Sequence, residues 1–338
     1  MGHLTQPLNT FWQLFYRPSG STIWSDKVEA TATATNGGLV LASAGGQPFI
    51  TGVRPTNLLH FSPLISTTNG GHSWSNGLLP DGLAARPDAL AIGPNGHSIA
   101  LVKHGEGSEV LTSQGDLSTW TTLTTSGTLG STAAGRSCGL ASLTAVASFA
   151  GHPIVGASCR RSGVVGLLDE NDGRWQLDPV TLPASLHHDR ATVLTLSQSA
   201  YGLTSMLEMT DKSHTTLLAA WTTSSGGWTV SPVFSLATDE HLVSIGPANG
   251  IGVFVLAATP AGATRLAVVN GPGAVWNHMP PPPPNTATVA FGGGVNSAID
   301  ALTAHDTTMT VWSLSSGSSN WTKGQVMPVK LEFGSSSP

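Results

Sequence analysis

The chain has 338 residues, 14 of them basic and 19 acidic, for a net charge of -5. A nucleic-acid surface wants a basic stripe, and the few lysines here are nowhere clustered, so no nucleic-acid partner is expected. Charged residues are 10% of the chain against a usual value of about 25%, while 40% are hydrophobic; that excludes a disordered chain and leaves enough for a sizeable core.

The 40 glycines and 22 prolines, with heavy Ser/Thr use, point to short strands and turns. No apolar run reaches about 18 residues, so no membrane-spanning helix is expected. No signal peptide is recognisable at the start. Low charge, Ser/Thr-rich strands and a cysteine pair nevertheless favour an exported protein, extracellular or at the cell surface.

In chain order, residues 10–17 give one strand before Trp24. The unit that follows Trp74 is the clearest: a first strand at 89–93, a turn at 94–96, then strands at 97–102, 108–112 and 119–123. Such units recur, each closing on a tryptophan: Trp24, Trp74, Trp120, Trp175, Trp228, Trp276 and Trp321. The spacings are 50, 46, 55, 53, 48 and 45 residues. A period of roughly 45–55 residues suits a four-stranded propeller blade. The expectation is therefore an all-β chain, one β-propeller domain over residues 1–338, most simply with seven blades. In that arrangement residues 329–333 join the N-terminal strand to close the ring. Six blades with decorated termini is the alternative. Residues 280–284, all proline, read as a stiff connector between units, and 334–338 as a frayed tail.

Cys138 and Cys159 flank an apolar stretch, residues 140–157, with a turn signal at 150–152. A hairpin there brings the two sulfurs near one another, which predicts a disulfide; two free buried thiols are the alternative. No Cys/His spacing supports a zinc site, and neither a metal nor a cofactor is expected.

One turn stands out. Residues 66–74 read Ser-Thr-Thr-Asn-Gly-Gly-His-Ser-Trp. Thr67 and Asn69 can bond local backbone, Gly71 supplies a positive φ, Ser73 ties the far side, and Trp74 starts the next strand. This resembles the Asp-box of sialidase-type β-propellers, with Asn in place of the usual Asp. The chain also broadly resembles uncharacterised exported bacterial propellers carrying such boxes. In that family the box is structural. The first arginine of sialidase catalysis is only partly matched: Tyr16-Arg17-Pro18 is one residue short, which turns a different side chain inward. No catalytic residue is carried over.

The parse also sorts the ionisable groups. Turns between first and second strands hold no Asp, Glu, Lys or Arg. Most charges fall in the loops at the opposite end, between second and third strands and between successive units. Two readings stay open: these loops are longer and hold more polar residues, or they form a recognition mouth. On the second reading the candidate contacts are Arg54, Arg86, Asp88, His104, Arg161, His188, Arg190, Asp211, His241 and His305.

A glycosidase needs two carboxylates about 5–10 Å apart; Asp88, Asp189, Glu208 and Asp306 lie at the right end but at no diagnostic spacing. Neither a Gly-x-Ser-x-Gly elbow nor a phosphate-cradling loop is present. The expected function is a non-catalytic extracellular or cell-surface scaffold that binds a glycan or protein partner on its charged loop face. A polysaccharide-directed glycoside hydrolase is the alternative. Self-assembly into a homo-oligomer or polymer by strand exchange is a third reading.

Overall fold

The computed structural model describes residues 2–3, 10–11, 15–17, 21, 23–26, 39–44, 47–53, 62–69, 73–79, 86–93, 96–105, 107–115, 117–199, 202–211, 214–222, 227–248, 250–291, 297–305 and 308–328. Among these, four antiparallel sheets of four consecutive strands and one of nine follow one another along the chain; the nine strands fall into two consecutive sets, joined by the pair Ser158–Thr192 and counted below as the third and fourth sheets.

The first sheet comprises Leu39–Ala44, Gln47–Val53, Ser62–Thr67 and Ser75–Leu79; the second, Arg86–Ile92, His97–His104, Gly107–Gln114 and Thr121–Thr125. The third has Leu140–Phe149, His152–Cys159, Gly166–Asn171 and Arg174–Leu177. In the fourth, Arg190–Ser199, Gly202–Thr210, Thr215–Thr222 and Trp228–Val230 are joined by a short strand, Phe234–Ser235, paired to the third strand. The fifth has His241–Pro247, Val253–Ala258, Thr264–Val269 and Asn277–His278; the sixth, Thr286–Phe291, Ser297–His305, Thr308–Ser315 and Thr322–Pro328. Two short N-terminal pairs precede them: Gly2–His3 with Thr10–Phe11, and Phe15–Tyr16 with Ser25–Asp26.

Strand alternation explains how the sheets stack. In His97–His104, residues 99–102 are all fully buried, so both faces of the sheet are covered. Ile99 and Leu101 point into an apolar cluster shared with the third sheet. Ala100 and Val102, on the opposite face, join a cluster shared with the first. The fifth sheet repeats the pattern: Val253 and Val255 face the fourth sheet, Phe254 and Leu256 the sixth. A further cluster joins the third and fourth. Among the described residues the core is thus five apolar layers between successive sheets. Because fully burying one Val, Leu or Phe contributes roughly 1.5–3 kcal/mol, each sheet depends on its neighbours for the cover of both faces.

First strands lie beside first strands: 39–44 beside 86–92, 86–92 beside 140–149, 140–149 beside 190–199, and 241–247 beside 286–291. Last strands are therefore outermost. All seven spaced tryptophans fall at the start of a last strand or one residue to either side of it: Trp24 before Ser25–Asp26, then Trp74, Trp120, Trp175, Trp228, Trp276 and Trp321 at the last strands of the six sheets.

An all-β chain leaves helices unexpected, yet residues 126–138 hold two short ones, Ser126–Ser131 and Ala133–Cys138. Threonine oxygens start both: Thr125 accepts from the Thr128 N–H at 3.1 Å and Thr132 from the Gly135 N–H at 3.0 Å. Gly139, at φ 63°, ends the second in the left-handed conformation that glycine adopts without strain. A Cβ at Gly135 would overlap the Leu129 carbonyl, so the two helices touch there through bare backbone. Cys138, at the end of the second helix, is bonded to Cys159 at the end of its strand. Leu140 pairs directly with Cys159, which leaves Cys138 two residues beyond the ladder and free to bridge back. Among the described residues no helix is long and apolar enough to cross a membrane.

Candidate functional site

The ladder registers place the described candidates at one end of their sheets. Arg86, Arg190 and His241 open the first strands of the second, fourth and fifth sheets, and Asp88 lies two residues into the second. At Asp88 the register with the neighbouring strand slips, so it occupies a bulge. His104 and His305 close second strands, and Asp211 follows one. Arg161 follows the third sheet's second strand, where its backbone N–H donates to the Cys138 carbonyl at 3.2 Å. His188 lies in the turn before Arg190. Arg161, His188, Arg190, Asp211, His241 and His305 are exposed, while Asp88 and His104 are partly covered. Arg54 and the Arg86 side chain lie outside the described residues.

Two of the candidates pair with near neighbours on their own sheets. His104 Nε2 lies 3.2 Å from Glu109 Oε2, and Glu109 also accepts from the Thr122 hydroxyl. Asp211 accepts the His214 N–H at 2.7 Å, closing a tight turn. Of the carboxylates weighed for hydrolysis, Asp306 lies outside the described residues. Asp189 is fixed by backbone bonds, its carbonyl accepting from Gly163 at 2.9 Å and its N–H donating to Leu186 at 3.1 Å. Glu208 stands within Gly202–Thr210, opposite Thr192 and Leu217.

The perturbed carboxylates are others. Glu240, in the loop before the fifth sheet, is gripped by Arg265: Nε donates to Oε1 at 2.8 Å and Nη2 to Oε2. That fork holds the Glu240 carboxyl below its ordinary range, helped by the Ala237 N–H at 2.8 Å. Arg265 also donates to the Ser235 carbonyl at 2.9 Å and stacks over Phe234, 4.3 Å from its ring centre. The sequence carries no signal for this pair, whose members stand 25 positions apart.

Burial pushes the Asp178 carboxyl up, partly offset by the Trp228 indole N–H donating to it at 3.1 Å. Asp169 is raised by burial first and by the nearby Asp178 charge second. Burial lowers the His97 imidazole, whose Nε2 lies 2.5 Å from the Thr112 hydroxyl oxygen. Burial is the largest cause of each of these three shifts, and Asp169 also feels the neighbouring charges of Asp178 and Glu170. Among the described residues no group of three His, Cys, Asp or Glu side chains is arranged to hold a metal ion.

The 67–74 turn is tied by its side chains. The Thr67 hydroxyl donates to Asn69 Oδ1 at 3.0 Å, Asn69 Nδ2 donates to Ser73 Oγ at 2.7 Å, and the Ser73 N–H returns to Asn69 Oδ1 at 2.9 Å. Asn therefore serves as both acceptor and donor, which an ionised Asp could not. Gly71 lies outside the described residues.

No protein-family model matches the chain. No curated protein matches it either. Among solved structures, the chain is similar to the periplasmic gluconolactonase PpgL of Pseudomonas aeruginosa, with TM-score 0.59 and 12% identity over 94% of this chain and 96% of that one. It is also similar to YCF48 bound to D1 peptide, with TM-score 0.52 and 14% identity over 86% and 82%. A putative 6-phosphogluconolactonase from Bacteroides uniformis gives TM-score 0.52 and 11% identity over 86% and 85%. At such identities the likeness speaks to the fold alone, and with the stacked four-stranded sheets it makes this chain a β-propeller.

Proposed function

We propose that the chain is a non-catalytic propeller that binds a partner through the loops at the opening ends of its first strands, outside the cell or at its surface. A protein segment is the favoured partner and a glycan the alternative. The observation that carries this reading is the row of exposed groups at one end of the sheets: Arg161, His188, Arg190, Asp211, His241 and His305. Exposed cations and anions of both signs suit recognition of a polar surface. The perturbed carboxylates, by contrast, are engaged within the fold, Asp178 by the Trp228 indole and Glu240 by Arg265. The likeness to YCF48 bound to a peptide supports a protein partner. The 67–74 turn is read as an Asp-box variant that shapes an outer turn and takes no part in binding.

We also take the ring to have seven units, the N-terminal pair supplying the outer part of the seventh. Trp276 donates to the Pro232 carbonyl at 2.8 Å, and Pro232 is four residues after Trp228. Trp321 donates to Pro280 at 3.2 Å, four residues after Trp276. Trp24 meets Gln325, four residues after Trp321. The N-terminal pair thus meets the sixth sheet at the same sequence offset at which the fifth and sixth sheets meet their predecessors, through the Trp24 backbone N–H instead of its indole.

The test is a comparison of the native chain with a variant carrying Arg190→Ala, Asp211→Ala, His241→Ala and His305→Ala, on peptide and glycan arrays and on lactone and polysaccharide substrates. Binding by the native chain, lost in the variant and without turnover, supports the reading. Turnover that is lost in the variant overturns it in favour of a hydrolase. A mass that falls on dilution, with no array binding, overturns it in favour of self-assembly.

A further inference from the structure

Four of the 14 basic residues gather in one place. Residues 126–140, 158–166 and 182–192 hold Arg136, Arg160, Arg161 and Arg190 against one acid, Asp189, a local excess of positive charge in a chain of net charge -5. The contacts join these three segments. Cys138 is bonded to Cys159, which ties Arg136, two residues before one sulfur, to Arg160 and Arg161, directly after the other. The Arg160 N–H donates to the Gly139 carbonyl at 3.0 Å, beside the Arg161 bond to Cys138. A Cβ at Gly139 would stand 3.3 Å from Arg161 Cγ and 3.5 Å from Arg160 Cβ, so both stems leave from above that glycine. Gly163 carries the patch onward: its N–H donates to the Asp189 carbonyl at 2.9 Å, and it lies against the His187 backbone. Arg136, Arg160, Arg161, His188 and Arg190 are all exposed.

The guanidiniums are aimed but not neutralised. Among the described residues none of the four arginines meets a carboxylate. Arg136 Nη1 donates to the Ser131 carbonyl, and Arg160 Nη1 to the Leu140 carbonyl at 2.9 Å. One such bond fixes a fork and leaves its other N–H groups for a partner. Acids on adjoining strands are engaged: Glu109 with His104 and Thr122, Asp211 with the His214 N–H. The three segments contain no Trp, Tyr or Phe, so the patch offers no aromatic platform for the apolar face of a sugar ring.

We propose that this patch takes an acidic peptide, a run of Asp or Glu whose carboxylates meet the forks of Arg136, Arg160, Arg161 and Arg190. The inference rests on the loop-face reading above and names its partner; Arg136 and Arg160 join the contacts. Arginine forks match carboxylates two bonds at a time. One exposed pair is worth little, so the ligand needs several acids in sequence. Forks already aimed by backbone carbonyls lose less freedom on binding.

The test is titration calorimetry of the full chain with acetylated, amidated hexaglutamate, with hexaglutamine, and with hexagalacturonate, which carries the same charges on a sugar backbone. Hexaglutamate is expected to bind at least about tenfold tighter than hexaglutamine and about fivefold tighter than hexagalacturonate, and to weaken at least about fivefold between about 50 and about 300 mM salt. Arg161→Lys, which keeps the charge and loses the fork, should weaken it about threefold, and Arg161→Glu at least about tenfold. Arg174→Glu makes the same change of net charge in an exposed turn at the other end of the third sheet, and should leave the affinity as it is. No saturation by about 1 mM, hexagalacturonate binding as tightly as hexaglutamate, or equal effects of Arg161→Glu and Arg174→Glu would each overturn the proposal. If hexaglutamate fails while array ligands are still lost in the four-residue variant above, the acidic partner falls and the loop face stands. If those ligands are also unaffected, both fall.

Discussion

Gln325 holds Trp24 by both its backbone N–H and its carbonyl: Oε1 accepts the Trp24 N–H at 2.8 Å, and Nε2 donates to the Trp24 carbonyl at 3.0 Å, across 301 positions of sequence. Nearby, Arg17 meets Asp300 at 2.6 Å, with the two side chains 8% and 4% exposed. Asp300 Oδ2 makes no hydrogen bond of good geometry, so this is a charge contact, while Oδ1 accepts from Ser313 at 2.6 Å. Arg17 also lies over the Trp24 ring, 4.9 Å from its centre. Together these contacts fasten the N-terminal strands to the sixth sheet.

Removing the fastening should loosen that junction first. Gln325→Ala is expected to cost about 1–2 kcal/mol and to speed hydrogen exchange at the Trp24 amide, leaving the third and fourth sheets unchanged. Asp300→Asn should cost more, about 3 kcal/mol, since it strands a buried guanidinium. Exchange that accelerates evenly across all sheets would refute a local role.

The tryptophans make a second set of ties. Trp276→Phe keeps most of the ring area but leaves the Pro232 carbonyl without its indole donor. A loss of about 1–2 kcal/mol is expected in urea unfolding. Trp321→Phe should behave alike, and a null result in both would reduce these bonds to incidental contacts.

Acid should expose the Glu240–Arg265 pair. Its carboxyl is held below the ordinary value of 4.5, so the stabilisation is complete at neutral pH and is lost as pH falls through that lowered value. Glu240→Gln should therefore be less stable than the native chain at pH 7, by about 2 kcal/mol. The gap should close as pH drops below the ordinary carboxylate range. A gap that stays constant with pH would place the effect in shape rather than charge.

Asp178 should show the opposite sign. Burial raises its carboxyl above the ordinary 3.8, so the native state takes up a proton before the unfolded chain does, and stability gains as pH falls through the raised value. Asp178→Asn keeps an acceptor for the Trp228 indole and removes the buried charge. It should equal or exceed the native chain at pH 7, with the advantage shrinking toward pH 4. Thermal midpoints across that interval check it.

Much of the fold was legible because it repeats. A tryptophan at each outer strand and a turn before it recur at nearly even intervals, and alternation fixed which residues face which neighbour. The 126–138 helices were not legible. Their sequence has no apolar stripe at helical spacing, and they are set by two threonine caps, a left-handed glycine and the Cys138 bridge. Arg17 read as a broken catalytic motif because its partner, Asp300, is far along the chain.

The grip of Gln325 on Trp24 makes surface neighbours of Ile23 and Val326, which flank it and are 66% and 47% exposed. Each is one residue, about 3.8 Å of backbone, from the joined pair. A donor and an acceptor fluorophore placed at these two sites would transfer energy efficiently while the Trp24–Gln325 junction holds and lose that signal when the strands part, turning the junction into an optical reading that needs no ligand.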